Sequence, residues 1–355
     1  MKQRLFVLLL LGAVVLACSK TETPSNSSEV YSPTPYTVAI PSWVSTFLSP
    51  MPANPSNPLT VEGISLGRKL FYEPMLSDNQ TQSCASCHLQ TAGFTDTAAF
   101  SKGTNGAIGD RNAMQIINLA WSNYLFWDGR RTTLEAQAHD PVTNPIEMRN
   151  TWPVVVERLQ KDPIYPGLFF KAFGTRTIDS NLVTKAIAQF ERTLVSFNSR
   201  FDKYYFEGDT NALNAQEKRG LALFFGKADC NHCHSDVLLT DDALRNNGLD
   251  TRFTDRGRGK VTGLPTDDGK FKVPTLRNIA ETAPYMHDSR FKTLEEVVNH
   301  YSDNVKTNSP NLDENMEIIA KGLRLSQQEK SDLVAFMKSL SDTEFLTNPN
   351  FKKPE

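Results

Sequence analysis

Five residues, Cys84-Ala85-Ser86-Cys87-His88, carry the clearest chemistry in the chain, and Cys230-Asn231-His232-Cys233-His234 repeats their pattern. In a C-x-x-C-H run the two thiols can add across the vinyl groups of a haem, and the histidine that follows then lies beneath the iron. A thioredoxin-type redox pair would want a βαβ setting, which the pattern does not offer. The two runs also lie too far apart for one compact zinc module. Two covalently bound haem c groups are therefore expected, attached through Cys84 and Cys87 and through Cys230 and Cys233, with His88 and His234 as proximal iron ligands.

Each run needs a scaffold to hold it. Gly67-Arg68-Lys69-Leu70-Phe71 precedes the first and Gly220-Leu221-Ala222-Leu223-Phe224 the second, both with apolar residues at helical spacing. Phe190-Glu191-Arg192-Thr193-Leu194 and Phe336-Met337-Lys338-Ser339-Leu340 then close the two halves alike. In the second, Leu333, Phe336, Met337 and Leu340 form one helical stripe, and Ser326 with Glu329 makes a capping box at its start. Helix, haem run, loops and closing helix is the plan of a small cytochrome c. The expected fold is mostly α, with two cytochrome c-like haem domains in tandem over residues 59–205 and 206–345.

A chain of 355 residues, 39% of them apolar, has material for about two such domains. Its 38 basic and 40 acidic residues nearly cancel, which argues against nucleic acid as a partner. Lys2 and Arg4, the apolar run from Leu5 to Leu16, and Ala17-Cys18 read as a signal peptide over residues 1–17, too short to span a membrane. Val15-Leu16-Ala17-Cys18 resembles a bacterial lipobox with Cys18 as the lipidated residue; the plainer reading of Cys18 is a small residue near an ordinary cleavage site. Residues 18–58, rich in Ser, Thr, Pro and Asn, are expected to be a flexible linker, with packing beginning at Trp43, Val44 and Phe47. The expected location is the periplasm or cell envelope, with a lipid anchor as the membrane contact.

Between the first run and its closing helix stand Arg111-Asn112, Phe126-Trp127-Asp128-Gly129-Arg130, Gln137, Pro141 and Asn144-Pro145-Ile146-Glu147-Met148. With Lys272-Val273-Pro274-Thr275-Leu276-Arg277-Asn278 and Thr282-Ala283-Pro284-Tyr285, they make the stretch from Glu62 to Leu340 resemble the bacterial di-haem cytochrome c peroxidases. It equally resembles their relative, the di-haem oxidase that matures the tryptophan-derived cofactor of methylamine dehydrogenase. The resemblance implies that Trp127 lies between the haems, and that Gln137 and Glu147 stand over the peroxide-binding iron with Pro141 packing the same pocket. It also implies one calcium ion held by Asn112 and the carbonyls of Thr282 and Pro284, hard oxygen donors that suit that ion. Ser289 departs from the glycine more usual in the family, and His139 has no counterpart there, so it reads as structural or surface.

The chemistry asks for such groups on its own terms. Splitting peroxide means moving a proton from one oxygen to the other, which suits a carboxylate acting first as base and then as acid. An amide such as Gln137 can hold the oxygens by a hydrogen bond. From pattern alone, Gln137 and Glu147 would read as ordinary polar residues and Trp127 as core; the resemblance is what assigns them roles. Arg130 and Arg131 suit haem propionates.

No histidine occurs from Leu89 to Asp110, where reductively activated family members carry one, so the first iron is expected to be open. For the second haem the family's methionine position holds Tyr301, as in the cofactor-maturing relative. Tyr301 is ranked first as sixth ligand and His300 second, with Met286 and His287 competing; Met286 reads more readily as packing beside Tyr285. The segment from Arg252 to Lys272, dense in Gly and charge, reads as a mobile solvated loop.

The expected function is reduction of hydrogen peroxide to water, with electrons from a small c-type cytochrome or a cupredoxin. One alternative is a di-haem oxidase acting on a protein or small molecule; another is a non-catalytic di-haem electron carrier. A homodimer is compatible with all three readings.

Overall fold

The computed structural model describes residues 29–235 and 237–355, so the expected signal peptide and Cys18 lie outside the described residues. The chain is largely helical. The first helices are α1 (Val44–Phe47), α2 (Val61–Phe71), α3 (Leu134–Thr143), α4 (Trp152–Lys161), α5 (Tyr165–Phe173) and α6 (Ser180–Glu191). They are followed by α7 (Arg200–Tyr205), α8 (Ala215–Phe225), α9 (Arg258–Thr262), α10 (Leu294–Asn299), α11 (Met316–Ala320), α12 (Gln327–Lys338) and α13 (Thr343–Thr347). The one sheet among the described residues pairs β1 (Leu244–Arg245) with β2 (Phe271–Lys272), antiparallel.

Two helix pairs hold the architecture, and they are built alike. Thr60 caps α2 by accepting from Gly63 N, which starts a helix whose Leu66, Gly67, Leu70 and Phe71 are all buried. α2 lies against α6 so closely that a Cβ on Gly67 would sit 1.8 Å from the Ala186 carbonyl oxygen, and the Phe71 and Phe190 rings meet edge to face at 5.3 Å. A capping box of Asn214 and Glu217 starts α8, and Ser326 with Glu329 starts α12, as the sequence predicts. There a Cβ on Gly220 would lie 2.0 Å from the Asp332 carbonyl oxygen, and Phe224 meets Phe336 at 5.2 Å. Each fully buried phenylalanine contributes roughly 1.5–3 kcal/mol of burial energy.

One apolar cluster gathers Leu66, Leu70, Val155, Phe169 and Ile187 around the first pair, and another gathers Phe201, Phe224, Leu294, Phe336 and Leu340 around the second. A third crosses between distant parts of the chain: Phe345 and Phe351 pack with Phe71, Phe94 and Phe190. Residues beyond 345, which have no place in the sequence reading, thus complete the packing around α2 and α6.

A finer repeat lies between the helices. Asn118 and Asn278 both adopt left-handed backbone, each followed by a 3-10 turn. Bridges then join Leu125 to Arg131 and Tyr285 to Phe291, enclosing Phe126 at φ 65° and Met286 at φ 75°. Threonine N-caps, Thr133 and Thr293, launch α3 and α10. Arg277 anchors the second copy through a buried ion pair with Asp202 at 2.9 Å and a further bond to the Val237 carbonyl.

Two expectations are refined. Packing begins at Trp43 and Val44 as expected, with Trp43 stacked on Phe206 at 4.3 Å and Val44 buried, but the expected linker over residues 18–58 is also tied down elsewhere, where Tyr36 N donates to Leu59 O and Asn57 is buried. Phe47 stays mostly exposed. Small polar residues here satisfy distant partners, as when Asn57 donates to Glu135 at 2.7 Å and accepts from Gln189 at 2.8 Å. Likewise the segment from Arg252 to Lys272 is anchored at Asp255 and Arg258, while residues 260–266 are exposed as expected. Asp255 takes a two-point grip from Arg111 at 2.6 and 2.9 Å, and Arg258 donates to Gly129 O at 2.8 Å. Charges that look solvent-bound in sequence find their partners across the fold.

Candidate functional site

Both Cys-x-x-Cys-His runs form the same tight turn. A 3-10 turn over Cys84–Ser86 is capped by Ser83 and Ser86, and His88 N returns to Cys84 O at 3.0 Å. In the second run His234 N returns to Cys230 O at 3.0 Å. His88 Nδ1 lies 2.8 Å from Phe94 O, and His234 Nδ1 3.1 Å from Leu239 O. A carbonyl at Nδ1 keeps the proton there and leaves Nε2 as a lone-pair donor, the arrangement that metal-binding histidines use. Burial holds both imidazoles below their usual range, so they are neutral.

Burial pushes the Cys84, Cys87, Cys230 and Cys233 thiols up, and all four are free of disulfides. Among the described residues no group of three or more His, Cys, Asp or Glu converges as a metal site. Two thiols and one histidine per run, with no further ligand among the described residues converging on them, fit covalent attachment of a haem better than a four-ligand zinc site.

A cavity of about 690 Å³ opens beside the first run and is lined by Cys84, Cys87 and His88 together with Trp127, Gln137, Pro141 and Glu147. All four candidate catalytic residues therefore share one chamber. Gln137 and Pro141 occupy one face of α3, a helical turn apart. Glu147 arrives on the turn after α3. Its carbonyl accepts from Thr104 N at 2.8 Å, and the preceding carbonyl, of Ile146, passes so near Gly103 that a Cβ there would lie 2.1 Å away. Asn144 Nδ2 donates to Glu147 Oε1 at 2.5 Å, while burial raises the Glu147 carboxyl above its usual range. His88 is the only histidine among the residues lining this cavity. Arg130 lines it too, stacked 3.4 Å from the Phe126 ring centre and paired with Asp128, whereas Arg131 pairs with Asp140 away from the lining. His139 is exposed, its ring against Trp152.

A second cavity of about 190 Å³ is lined by Cys230, Cys233 and His234, and also by Tyr301, Met286 and His287. His300 does not line it: its ring packs near Phe291, and Nε2 lies 3.2 Å from Asn247 O. A π-helical turn over His300–Asn304 follows α10 and separates the two neighbours' directions. Tyr301 Oη accepts from Asn247 Nδ2 at 3.0 Å, and burial pushes the phenol up to about 12. His287 stacks on Phe271 at 3.7 Å.

Trp127 and Asn112 line both cavities. Trp127 Nε1 donates to Asn112 O at 2.8 Å, and Asn112 N donates to His287 O at 2.8 Å. Thr282 and Pro284, the other expected calcium ligands, line the second cavity. Asn112 Nδ2 is buried and has no partner.

The structure adds residues to which the sequence reading gave no role. Lys272 is buried, lines both cavities and pairs with Asp242 at 2.9 Å. Glu191 is 3% exposed, lines the first cavity and keeps Oε2 unpartnered; burial pushes its carboxyl up to about 8. A signal for Glu191 existed, because it follows Val183 and Ile187 on the apolar stripe of α6, where a charge has no ordinary reason to be.

The family model described as di-haem cytochrome c peroxidase matches residues 61–211. Methylamine utilization protein MauG of Methylorubrum extorquens is 41% identical over 293 residues, covering 82% of this chain and 81% of the relative. Cytochrome c551 peroxidase of Nitrosomonas europaea is 36% identical over 307 residues, covering 85% of this chain and 86% of the relative. Among solved structures, a MauG-like protein associated with microbial copper homeostasis superposes with a TM-score of 0.81 at 37% identity, covering 90% of this chain and 99% of that one.

Proposed function

Because the chain belongs to the di-haem cytochrome c peroxidase family, whose resident cofactors are two haem c groups, we propose that it reduces hydrogen peroxide to water with electrons from a small c-type cytochrome or cupredoxin. Cys84, Cys87 and His88 would hold one haem, and Cys230, Cys233 and His234 the other, in two tandem cytochrome c-like domains over residues 59–205 and 206–345. When bound, the haems supply an iron at which peroxide is reduced and a second redox centre through which electrons arrive.

The observation that carries this reading is the inequality of the two cavities. The first gathers Glu147, Gln137 and Pro141 with no second histidine in its lining, while the second gathers Tyr301, Met286 and His287, and its one carboxylate, Asp229, adjoins the attachment run itself. Glu147 is the group that moves the proton. Asn144 holds Oε1, so Oε2 is free to take a proton from one peroxide oxygen and return it to the other. Burial raises this carboxyl above its usual range, which favours its holding a proton between the two halves of the transfer. Gln137 donates a hydrogen bond that orients the peroxide, and Pro141 offers no donor atom that could occupy the peroxide site. Trp127, bordering both cavities, is suited to couple them.

Tyr301 is the proposed sixth ligand of the second iron. Burial alone keeps its phenol protonated, so the charge of the metal is what would release the proton. Asn112 suits calcium: turning its amide aims Oδ1 where the unpartnered Nδ2 now lies, and Thr282 and Pro284, whose carbonyls would be the other ligands, line the same cavity. Export to the periplasm, a lipid anchor at Cys18 and a homodimer complete the proposal. Among the described residues no helix is long and apolar enough to cross a membrane.

Mixing the resting holoprotein with peroxide and a reduced cytochrome tests the assignment. Rapid donor oxidation is expected. A long-lived oxidised protein that leaves the donor untouched would favour the second reading, an oxidase acting on a protein or small molecule. That reading draws on Tyr301 at the second cavity and on the relative named MauG. Inertness would leave electron carriage, which has no use for the half-hidden Glu147.

A further inference from the structure

Asn247 lies two residues beyond the short strand β1 and lines the second cavity. Its carbonyl faces His300 Nε2 at 3.2 Å, and its side-chain Nδ2 donates to Tyr301 Oη at 3.0 Å. Two consecutive residues of the π-helical turn thus grip one asparagine, one by its main chain and one by its amide. The same Nδ2 also lies 3.7 Å from Met286 Sδ. Asn247 therefore touches two of the three cavity-lining side chains that compete for the second iron, the phenol oxygen of Tyr301 and the thioether sulfur of Met286, while the third, His287, stacks on Phe271.

The two are unequal partners for an amide N–H. A phenol that ligates iron has given up its proton and becomes an anionic acceptor, and a hydrogen bond to an ionised acceptor is about twice as strong as a neutral one. A thioether sulfur is a weak acceptor in any state. A phenolate also has no proton to donate, so the amide must present Nδ2 to it, which is the orientation the structure has. The donor thus adds stability to one ligand and almost none to the other. The backbone hold on Asn247 keeps that donor in place: Asn246 beside it is buried and bonded to Ser309 and Pro310, and Gly248, at φ 69°, packs against Val305.

We propose that Asn247 is a positioning residue that selects Tyr301 over Met286 as the sixth ligand of the second haem. This rests on the reading of Tyr301 as that ligand.

Asn247→Asp tests it, because aspartate keeps the shape of the side chain and removes the donor. Resonance Raman spectra of the wild-type holoprotein should contain phenolate-to-iron modes. In Asn247→Asp those modes should be lost, a near-infrared thioether-to-iron band should appear, and the midpoint potential of that haem should rise. The new band should vanish in the double variant Asn247→Asp/Met286→Leu, which distinguishes ligand exchange from a loosened fold. Asn247→Gln, which restores an amide, should recover part of the phenolate signal. If the wild type has phenolate modes and Asn247→Asp keeps them at unchanged potential, the selecting role of Asn247 fails while Tyr301 stands. If the wild type has no such modes, the Tyr301 assignment fails and the selection with it.

Discussion

Pro141 and Tyr301 stand at matching points in two copies of one local fold. Each lies two helical turns beyond a threonine N-cap, Thr133 or Thr293, and each lines the cavity beside a Cys-x-x-Cys-His run. Both positions disturb the helix they sit on. Proline has no N–H to continue the ladder, and at Tyr301 the chain widens into a π-helical turn. The side chains then differ in the one property that matters to an iron: tyrosine carries a donor oxygen, and proline carries no donor atom.

Pro141→His is therefore expected to close the first site. Optical and electron paramagnetic resonance spectra of the resting holoprotein should change from a high-spin to a low-spin first haem, and peroxide turnover should fall. Persistence of the high-spin signal would mean that residue 141 does not reach the iron.

Glu147→Gln keeps the hydrogen bond from Asn144 within reach but cannot carry a proton. Turnover is expected to drop roughly 10²- to 10⁴-fold with haem content unchanged. Acting first as base requires the ionised form, so activity rises with pH. Burial lifts this carboxyl above 4.5, which puts the acid limb of the profile above that value. A pH–rate profile with no limb above 4.5, or wild-type rates in Glu147→Gln, would remove Glu147 from the mechanism.

Glu191 makes stability depend on pH. Its carboxyl is raised from 4.5 to about 8, chiefly by burial, so folding favours the protonated form. The stability this provides is fully present below pH 4.5 and is lost as pH rises through about 8. The neutral carboxyl faces Glu135 on α3, Arg192 at the end of its own helix and the Cys84 thiol, while α2 meets α6 through uncharged Gly63 and Gly67. Glu191→Gln should flatten the decline; urea denaturation of the holoprotein across that pH range checks it, and an unaltered decline in the variant would assign it to other groups.

Gly67→Ala and Gly220→Ala should each force a helix pair apart, since the added Cβ meets a backbone oxygen at 1.8 or 2.0 Å. Overpacking of this kind costs about 1–3 kcal/mol. Thermal unfolding of the holoprotein should fall by several degrees for either variant. An unshifted melting temperature would mean that the helices can slide without loss.

Much of the frame is legible in the chain. Gly67 and Phe71, repeated as Gly220 and Phe224, and the phenylalanines at 190 and 336 specify two close helix pairs by residue type alone. The capping box at Ser326 and Glu329 is equally local. Less legible is what residues far apart do for each other. The segment from Arg252 to Lys272 looks free because Arg111, which holds Asp255, is remote in sequence. Residues 343–351 look like a tail because Phe71, Phe94 and Phe190, which receive them, lie more than 150 positions earlier.

The sequence by itself determined the two attachment runs, the neighbouring helices and the residue types available for chemistry, because turns, caps and helical stripes depend on residues within a few positions of each other. Tertiary structure alone decided which of those residues share a cavity. It put Glu147, Gln137 and Pro141 into one chamber, set Trp127 against both, turned Tyr301 inward and His300 toward Asn247, and hid Glu191. On a helix one position is a rotation of roughly 100°, so which of two adjacent side chains faces an iron is settled by distant contacts that fix the helix face, and no local pattern contains them.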